Sequence, residues 1–293
     1  MNEFDVVICT ALKDCNVLKK SIFYIRKNIS PQNIYIITDV RNFRRFNLIK
    51  DIILIDENKL LPDLTFSKVK ATIDDHLINK GYGWYFQQFL KMGFALSEYA
   101  KKKYLIWDAD TIPLNEITFF KDDRHIFTAK KEYHRAYFDT LERLIGYKKE
   151  FVKSFISEHM MVDVDIMKEL IAQIENNKQI KGEKWFDKCI YAIDKEEKNG
   201  FSEFETYGTY CIVNYPSLIE TRTIQTYRGG SKIFSIYFNS DNLDELAKEF
   251  DTISFEVNQF PIGGVKRIRQ KIHYFRCKII MKLRYSTKFL FFK

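Results

Sequence analysis

An α/β fold with a mainly parallel central sheet flanked by helices is predicted by three features of the chain. Short β-branched runs recur through the first 60 residues: "FDVVICT" at 4–10, "NIYIITD" at 33–39 and "DIILID" at 51–56. A stretch of helical periodicity separates the first two. The runs are apolar almost throughout instead of alternating, which is the pattern of parallel strands buried on both faces.

Each element follows in order. Within residues 16–29, Val17, Leu18, Ile22, Ile25 and Ile29 recur at helical spacing, and Pro31 breaks the pattern before the second strand. Residues 83–103 start beside Gly81 and Gly83, are apolar on most sides and end in lysines suited to a helix C-terminus, so one buried helix is expected over that span. "YLIW" at 104–107 is the next strand and stops at Asp108. "RHIFTAK" at 124–130 reads as a strand, 154–177 as a short strand leading into a helix, and 183–196 as a helix; "TYGTYCIVNYP" ends near Pro216. Without an internal repeat or low-complexity linker, the economical division is one domain over residues 1–262 and a tail over 263–293.

Composition narrows the function classes. With 46% hydrophobic residues in 293, the chain can bury a sizeable core. Its five cysteines, Cys9, Cys15, Cys189, Cys211 and Cys277, form no CxxC pair and follow no zinc spacing. A reducing cytoplasmic setting is the expectation. The N-terminal run carries acids and lacks a basic leader region, and no stretch reaches about 18 apolar residues, so neither a signal peptide nor a membrane span is expected. The net charge of +8 is a property of the tail: residues 266–293 hold ten Lys or Arg and no Asp or Glu, leaving 37 basic against 39 acidic residues elsewhere. A body this close to neutral argues against nucleic acid as a partner.

Two carboxylates, Asp108 and Asp110, stand directly after the buried run "YLIW". Ligands of open α/β sheets bind outside the carboxyl ends of the strands. In extended backbone, residues two apart point the same way, so both carboxylates can face one hard cation, Mn²⁺ or Mg²⁺, which can neutralise a diphosphate. "DVD" at 163–165 is an internal control, since Asp163 and Asp165 precede a helix, where acids are favourable without any ligand.

Three further stretches carry candidate chemistry. In "WYFQQFLK", Gln87 and Lys91 share a helix face bordered by Gln88, and they need polar partners such as a phosphate or a sugar, or a neighbouring loop. In "FSEFETYGTY", Glu203 and Glu205 lie among aromatics, as carbohydrate sites require, and either could act as general base; an exposed strand would show the same alternation. His159 in "SEHMMVD" could reach a diphosphate or metal, or be a core histidine. His273 in the tail is a weak third metal ligand.

Together "DVVICT", "WYFQQFLKMGFA", "YLIWDADTIPL", "FISEHMMVD" and "FSEFETYGTY", in order over roughly residues 4–215, resemble the bacterial nucleotide-sugar glycosyltransferases of the GT-A fold. The likeness is greatest to transferases of surface-polysaccharide synthesis, of the capsule or lipopolysaccharide type. The resemblance implies a Rossmann-like nucleotide half with Thr10 and Asp39 near base and ribose. It makes Asp108 and Asp110 the DxD pair holding Mn²⁺ or Mg²⁺ on the diphosphate of a nucleotide-sugar donor, UDP-sugar favoured. It sets "EHMMVD" along the sugar pocket, where His159 departs from the usual Asn or Gly. It puts Glu203 or Glu205 where an acceptor-activating carboxylate of an inverting enzyme stands, while inversion and retention both stay open.

Two rival classes fit parts of the pattern. A haloacid-dehalogenase-like phosphohydrolase also ends a buried strand in D-x-D, though nearer its start; a non-catalytic sugar-nucleotide-binding protein would display the same sheet. In the tail, Ile268, Ile272, Phe275 and Ile279 form an apolar stripe among basic residues. That pattern suits a helix docked on the domain or a basic amphipathic anchor, which would place the protein peripherally on an anionic inner membrane face beside a glycan or lipid-linked acceptor.

Overall fold

The computed structural model describes residues 3–148, 153–231 and 240–255. The chain divides into two compact units, each assembled from separated stretches: Met1–Leu12, Pro31–Ala109 and Thr118–Thr223 in one, Lys13–Ser30, Asp110–Ile117 and Ile224–Lys293 in the other.

The first unit is built on five strands, β1 (Asp5–Cys9), β2 (Ile34–Thr38), β3 (Ile53–Asp56), β4 (Lys103–Trp107) and β8 (His159–Asp163), in the order β3-β2-β1-β4-β8. The first four pair in parallel and β8 runs antiparallel to β4, with Trp107 opposite His159. The mainly parallel sheet expected from the sequence is therefore present. Its central strand is apolar because it is covered on both faces: Val6, Val7 and Ile8 are wholly buried. Asp5, buried at the head of β1, accepts from the backbone N and the Nδ2 of Asn33 at 3.0 and 2.8 Å, which fixes the start of the β1–β2 pairing. A second, three-stranded sheet joins β6 (Phe120–Lys121), β7 (Arg124–Thr128) and β9 (Ile219–Arg222) in that order.

The helices of this unit are α2 (Phe43–Phe46), α3 (Phe66–His76), α4 (Tyr82–Gly93), α5 (Arg135–Ile145), α6 (Val164–Asn176), α7 (Trp185–Tyr191) and α8 (Glu203–Asn214). Helix α4 corrects the expected 83–103 span. It stops at Gly93, tightens into a 3₁₀ turn at Phe94–Leu96, and the lysines beyond belong to the approach to β4. A Cβ on Gly93 would stand 3.0 Å from Leu61 and 3.1 Å from Leu64, so the backbone passes close to its neighbours there. Helix α8 disposes of the exposed-strand alternative for this stretch, because the acids and aromatics of 203–210 form its first turns. Ser202 caps it by accepting from the backbone N of Glu205 at 3.3 Å. Gly208 sits mid-helix where a Cβ would come within 2.4 Å of the Phe155 ring. Helices α3 and α5 had no counterpart in the sequence reading; α3 buries only Val69 and Ile73, a stripe too narrow to stand out.

The second unit contains α1 (Cys15–Asn28), β5 (Thr111–Pro113), β10 (Thr226–Tyr227), α9 (Ser240–Leu246) and β11 (Thr252–Ser254), with strands ordered β10-β11-β5. Its core joins Val17 and Tyr24 of α1 to Ile112, Leu114, Leu243, Leu246, Ile253 and Phe255. Asn28 Nδ2 donates to the Pro113 carbonyl at 2.9 Å, tying α1 to β5. The basic tail, including His273, lies outside the described residues.

Candidate functional site

The strand order singles out one edge of the sheet. From β1 the chain moves outward through β2 and β3, then returns to β4 on the other side of β1, so the sheet reverses direction between β1 and β4. Binding sites of such sheets lie at the carboxyl ends of the strands flanking that reversal. Four strand ends meet there, at Thr10, Asp39, Glu57 and Asp108. The backbone N of Thr10 donates to Ile37 O and that of Glu57 to Thr38 O, each at 3.0 Å, so the strand ends stay in register past the last paired residues.

Lys91 organises this edge. It lies in the last turn of α4, where the phenol of Tyr104 in β4 donates to its carbonyl at 2.9 Å. Its Nζ donates to Asp108 Oδ1 and to Glu203 Oε1, both at 2.7 Å, and stands 4.8 Å from the centre of the Phe204 ring. The Lys91 and Glu203 side chains are 4% and 5% exposed while that of Asp108 is 30% exposed, so only the aspartate opens to solvent. Burial drives the Lys91 ammonium down, but Asp108 and Glu203 outweigh it and hold the group above its ordinary range, fully charged. Glu203 is raised, by burial first and by Asp108, against the opposing pull of Lys91. One cation shared by two carboxylates leaves the cluster with a net negative charge.

The neighbouring groups share this field. Burial pushes the Cys9 thiol up; Lys91 opposes, and Glu203, Glu57 and Asp108 add to the rise. Glu57 is pushed up to about 7, by burial and then by Asp39 and Asp56. Asp39 is held below its ordinary range by the Arg41 guanidinium, which donates to both its oxygens at 2.9 and 2.6 Å, and it caps the turn Val40–Asn42.

The structure thus brings Asp108, Lys91 and Glu203 together, and the same sheet edge carries Thr10 and Asp39. Other expected residues stand differently. Gln88 is buried with its Oε1 accepting from the backbone N of Glu203 at 3.1 Å and its Nε2 donating to Trp84 O at 3.3 Å, so it ties α4 to the start of α8. Gln87 is half-buried on the same helix. Glu205 is 1% exposed and accepts from Ser154 Oγ and from the backbone N of Phe155, anchoring α8 to residues 154–155. His159 is 2% exposed, its Nε2 hydrogen-bonded with Thr128 Oγ1 at 2.9 Å and its ring stacked on Trp107 with centroids 5.0 Å apart. Burial, with Arg222 and Lys130, holds it well below its ordinary range and hence neutral. It serves the packing of β4 and β8. The second Asp-x-Asp is a helix cap, Asp163 Oδ1 accepting from the backbone N of Asp165 and Ile166 at 3.0 and 3.3 Å.

Asp110 falls in the second unit, where its carbonyl accepts from the backbone N of Phe255 at 2.8 Å. Among the described residues no three His, Cys, Asp or Glu are grouped closely enough to hold a metal ion. That donor set still fits Mg²⁺ or Mn²⁺ bridged to a substrate, because such ions take one or two carboxylates and complete their shell with phosphate oxygens and water. The partly exposed carboxylate of Asp108 is of that kind.

Sequence reasoning missed Glu57, Lys130 and Glu158. Glu57 follows the third strand as Asp39 follows the second, and that parallel was available. Glu158 and Lys130 form an ion pair at 2.6 Å beside Asp108, whose backbone N donates to Glu158 O at 2.9 Å.

A family model described as a family of unknown function (DUF6492) matches residues 4–232. No curated protein matches the chain. Among solved structures, mouse xyloside xylosyltransferase 1 in its apo form is 11% identical over 90% of this chain and 100% of that one, with a TM-score of 0.47. The galactosyltransferase LgtC, in complex with donor and acceptor sugar analogues, is 11% identical over 86% of this chain and 87% of its own, with a TM-score of 0.43. GlyE, a glycosyltransferase of Streptococcus pneumoniae TIGR4, is 11% identical over 98% of this chain and 64% of its own, with a TM-score of 0.38. Likeness at this level transfers neither fold nor activity.

Proposed function

The chain belongs to the family of unknown function DUF6492, and we propose that it is a metal-dependent glycosyltransferase of the GT-A type. In this reading it moves a sugar from a nucleoside diphosphate, UDP favoured, to a hydroxyl of a glycan or lipid-linked acceptor in surface-polysaccharide or lipopolysaccharide synthesis. The observation that supports it is the Lys91–Asp108–Glu203 cluster at the reversal point of the sheet. A carboxylate aimed out of a strand end, with a buried cation fixing its rotamer, is suited to hold a metal–diphosphate group and poorly suited to any structural task.

The residues divide the work as their exposure dictates. Asp108, with Asp110 two positions on, would hold Mg²⁺ or Mn²⁺, which when bound neutralises the departing diphosphate. Lys91 orients Asp108. Glu203 sets Lys91 in place, since its own carboxylate is buried against that ammonium. Thr10 and Asp39 border the same strand ends, where a nucleoside would lie. The basic segment at 263–293 would hold the enzyme peripherally on an anionic membrane surface, beside lipid-linked acceptors; if so, deleting residues 266–293 abolishes partition onto anionic vesicles.

A panel of UDP-, GDP- and CMP-sugars assayed for nucleotide release, with and without Mn²⁺, tests the main reading. Release from at least one donor is expected, falling about 100-fold or more in Asp108→Ala and Asp110→Ala. Absence of binding and turnover with every donor would remove it.

A further inference from the structure

We propose that the recess at the ends of α3, α5 and α7 is a second binding site, for a small ligand carrying phosphoryl or carboxylate groups. It is separate from the strand ends and does not rest on the glycosyltransferase reading. A cavity of about 620 Å³ lies there, lined among others by Asp75, Arg143, Gln179, Lys181, Tyr191 and Lys195. That volume is in the range of pockets that take small molecules. Gln179, Lys181 and Lys195 are exposed, so the recess opens to solvent. None of its lining residues belongs to the Lys91–Asp108–Glu203 cluster.

The walls are fixed by the protein's own hydrogen bonds. Buried Lys188 donates to the carbonyls of Asn177 and Ile180 at 2.6 and 3.1 Å, and Asn177 Nδ2 donates to those of Arg143 and Leu144 at 3.1 and 2.9 Å. His76 Nε2 donates to Ile193 O at 2.7 Å, and Arg143 donates to Ala192 O. Carbonyls at helix ends are the ordinary partners of nearby cations, and these are already taken. Donors are left over. Asp75 Oδ2 accepts from Lys181 Nζ at 2.8 Å and from the Tyr191 phenol at 2.7 Å, and Arg143 gives a further N–H to Asp194 at 2.8 Å. Beyond those bonds the Lys181 ammonium and the Arg143 guanidinium still have protons to give. The side chains of Lys195 and Gln179 make no hydrogen bond or ion pair among the described residues.

The ligand's chemistry follows from this surplus. Against Arg143, Lys181 and Lys195 the lining sets the single carboxylate of Asp75, and counting Asp194 as well still leaves the recess positive. Stability does not account for Lys195, since even exposed ion pairs contribute little to a fold and Lys195 forms none. A neutral sugar would meet donors with few acceptors beside them. A phosphate or carboxylate supplies the acceptor oxygens and the charge that these donors lack, and charge-assisted bonds of this kind are the stronger ones.

The test titrates full-length protein calorimetrically, in EDTA and at low ionic strength, with inorganic phosphate, glucose 6-phosphate, glucuronate and glucose. At least one anion should bind, about tenfold or more tightly than glucose. Preference for the two phosphates identifies a phosphoryl ligand, and preference for glucuronate a carboxylate one. Lys195→Glu should weaken anion binding about tenfold or more with an unchanged melting temperature, because the residue is exposed and unbonded, while Lys195→Arg stays within about threefold of wild type. Asp108→Ala should keep wild-type affinity within about twofold. Anion affinity retained in Lys195→Glu overturns the proposal, as does glucose binding as well as the anions or a wild type that binds none of them. An equal loss in Asp108→Ala also overturns it, by moving the anion to the strand ends.

Discussion

Replacing Lys91 by methionine isolates what the buried cation does. The side chain fits the same space, so packing changes little, but Glu203 loses its counterion while only 5% exposed. Breaking a buried pair by removing one partner costs about 3–5 kcal/mol. For a domain of this size each kcal/mol lowers Tm by about 2–4 °C, so the variant should melt roughly 6–20 °C below wild type. Asp108, 30% exposed, can be solvated and contributes less. The loss has a defined pH dependence. Glu203 already sits above its ordinary range through burial, and without Lys91 it rises further. The unfolded chain gives up that proton at about pH 4.3 while the folded variant keeps it, so folding becomes less favourable as pH rises above that value, until the folded group also ionises. The deficit is therefore smallest near pH 4 and larger at pH 7–8. Adding Glu203→Gln removes the stranded charge and should restore at least half of the lost stability. Thermal melts of the four members of the double-mutant cycle at pH 4, 6 and 8 measure this. A deficit independent of pH, or substitutions that add within about 0.5 kcal/mol, would refute the shared-cation argument.

Three further outcomes rest on α6, α8 and the end of β3. Asp163→Ala removes the cap of α6 and should cost about 1 kcal/mol in urea unfolding while leaving nucleotide-sugar affinity unchanged. Gly208→Ala drives a methyl against the Phe155 ring, 2.4 Å from the added carbon, and should destabilise by about 1–3 kcal/mol, with partial relief from Phe155→Leu. Glu57, held at about 7, is ionised in the unfolded chain from about pH 4.3 upward, so it opposes folding increasingly as pH rises through that window. Glu57→Gln should accordingly raise Tm at pH 8 and leave it unchanged at pH 4.

The parallel core was readable because a strand buried on both faces has little choice of composition: β1, β2 and β4 each announce themselves as continuous apolar runs. Helix α1 was readable from its apolar spacing, and the cap at Asp163 from acids just ahead of a periodic segment. What failed did so for local reasons. The lysines at 101–103 suit a helix terminus and a strand entrance equally, and the close approach at Gly93 that ends α4 involves Leu61 and Leu64, about 30 residues away. The alternation of acids and aromatics at 201–205 fits an exposed strand as well as a ligand site, although Ser202 with Glu205 three residues on is the spacing of a helix cap. Strands β5, β10 and β11 are two or three residues long and depend on partners far along the chain, so no window of sequence could show them. The left-handed backbone of Glu158 has no sequence signal, because the residue that would reveal it, glycine, is absent.

The two Asp-x-Asp triplets show why position in the fold outweighs the motif. Asp163 begins a helix, and the free amides of the first turn satisfy its carboxylate at no cost in buried charge. Asp108 ends a strand whose last amide is already given to Glu158 O, and its carboxylate takes Lys91 from a helix 17 residues earlier. Keeping that lysine charged inside the protein requires Glu203 as well, from 112 residues downstream. An arrangement drawing on three distant segments to orient one solvent-facing carboxylate is costly as a stabilising device, since an apolar contact would serve the fold as well. Its consequence is a carboxylate held in place at the reversal point of a mainly parallel sheet, which is where the proposed metal-bridged phosphate would bind.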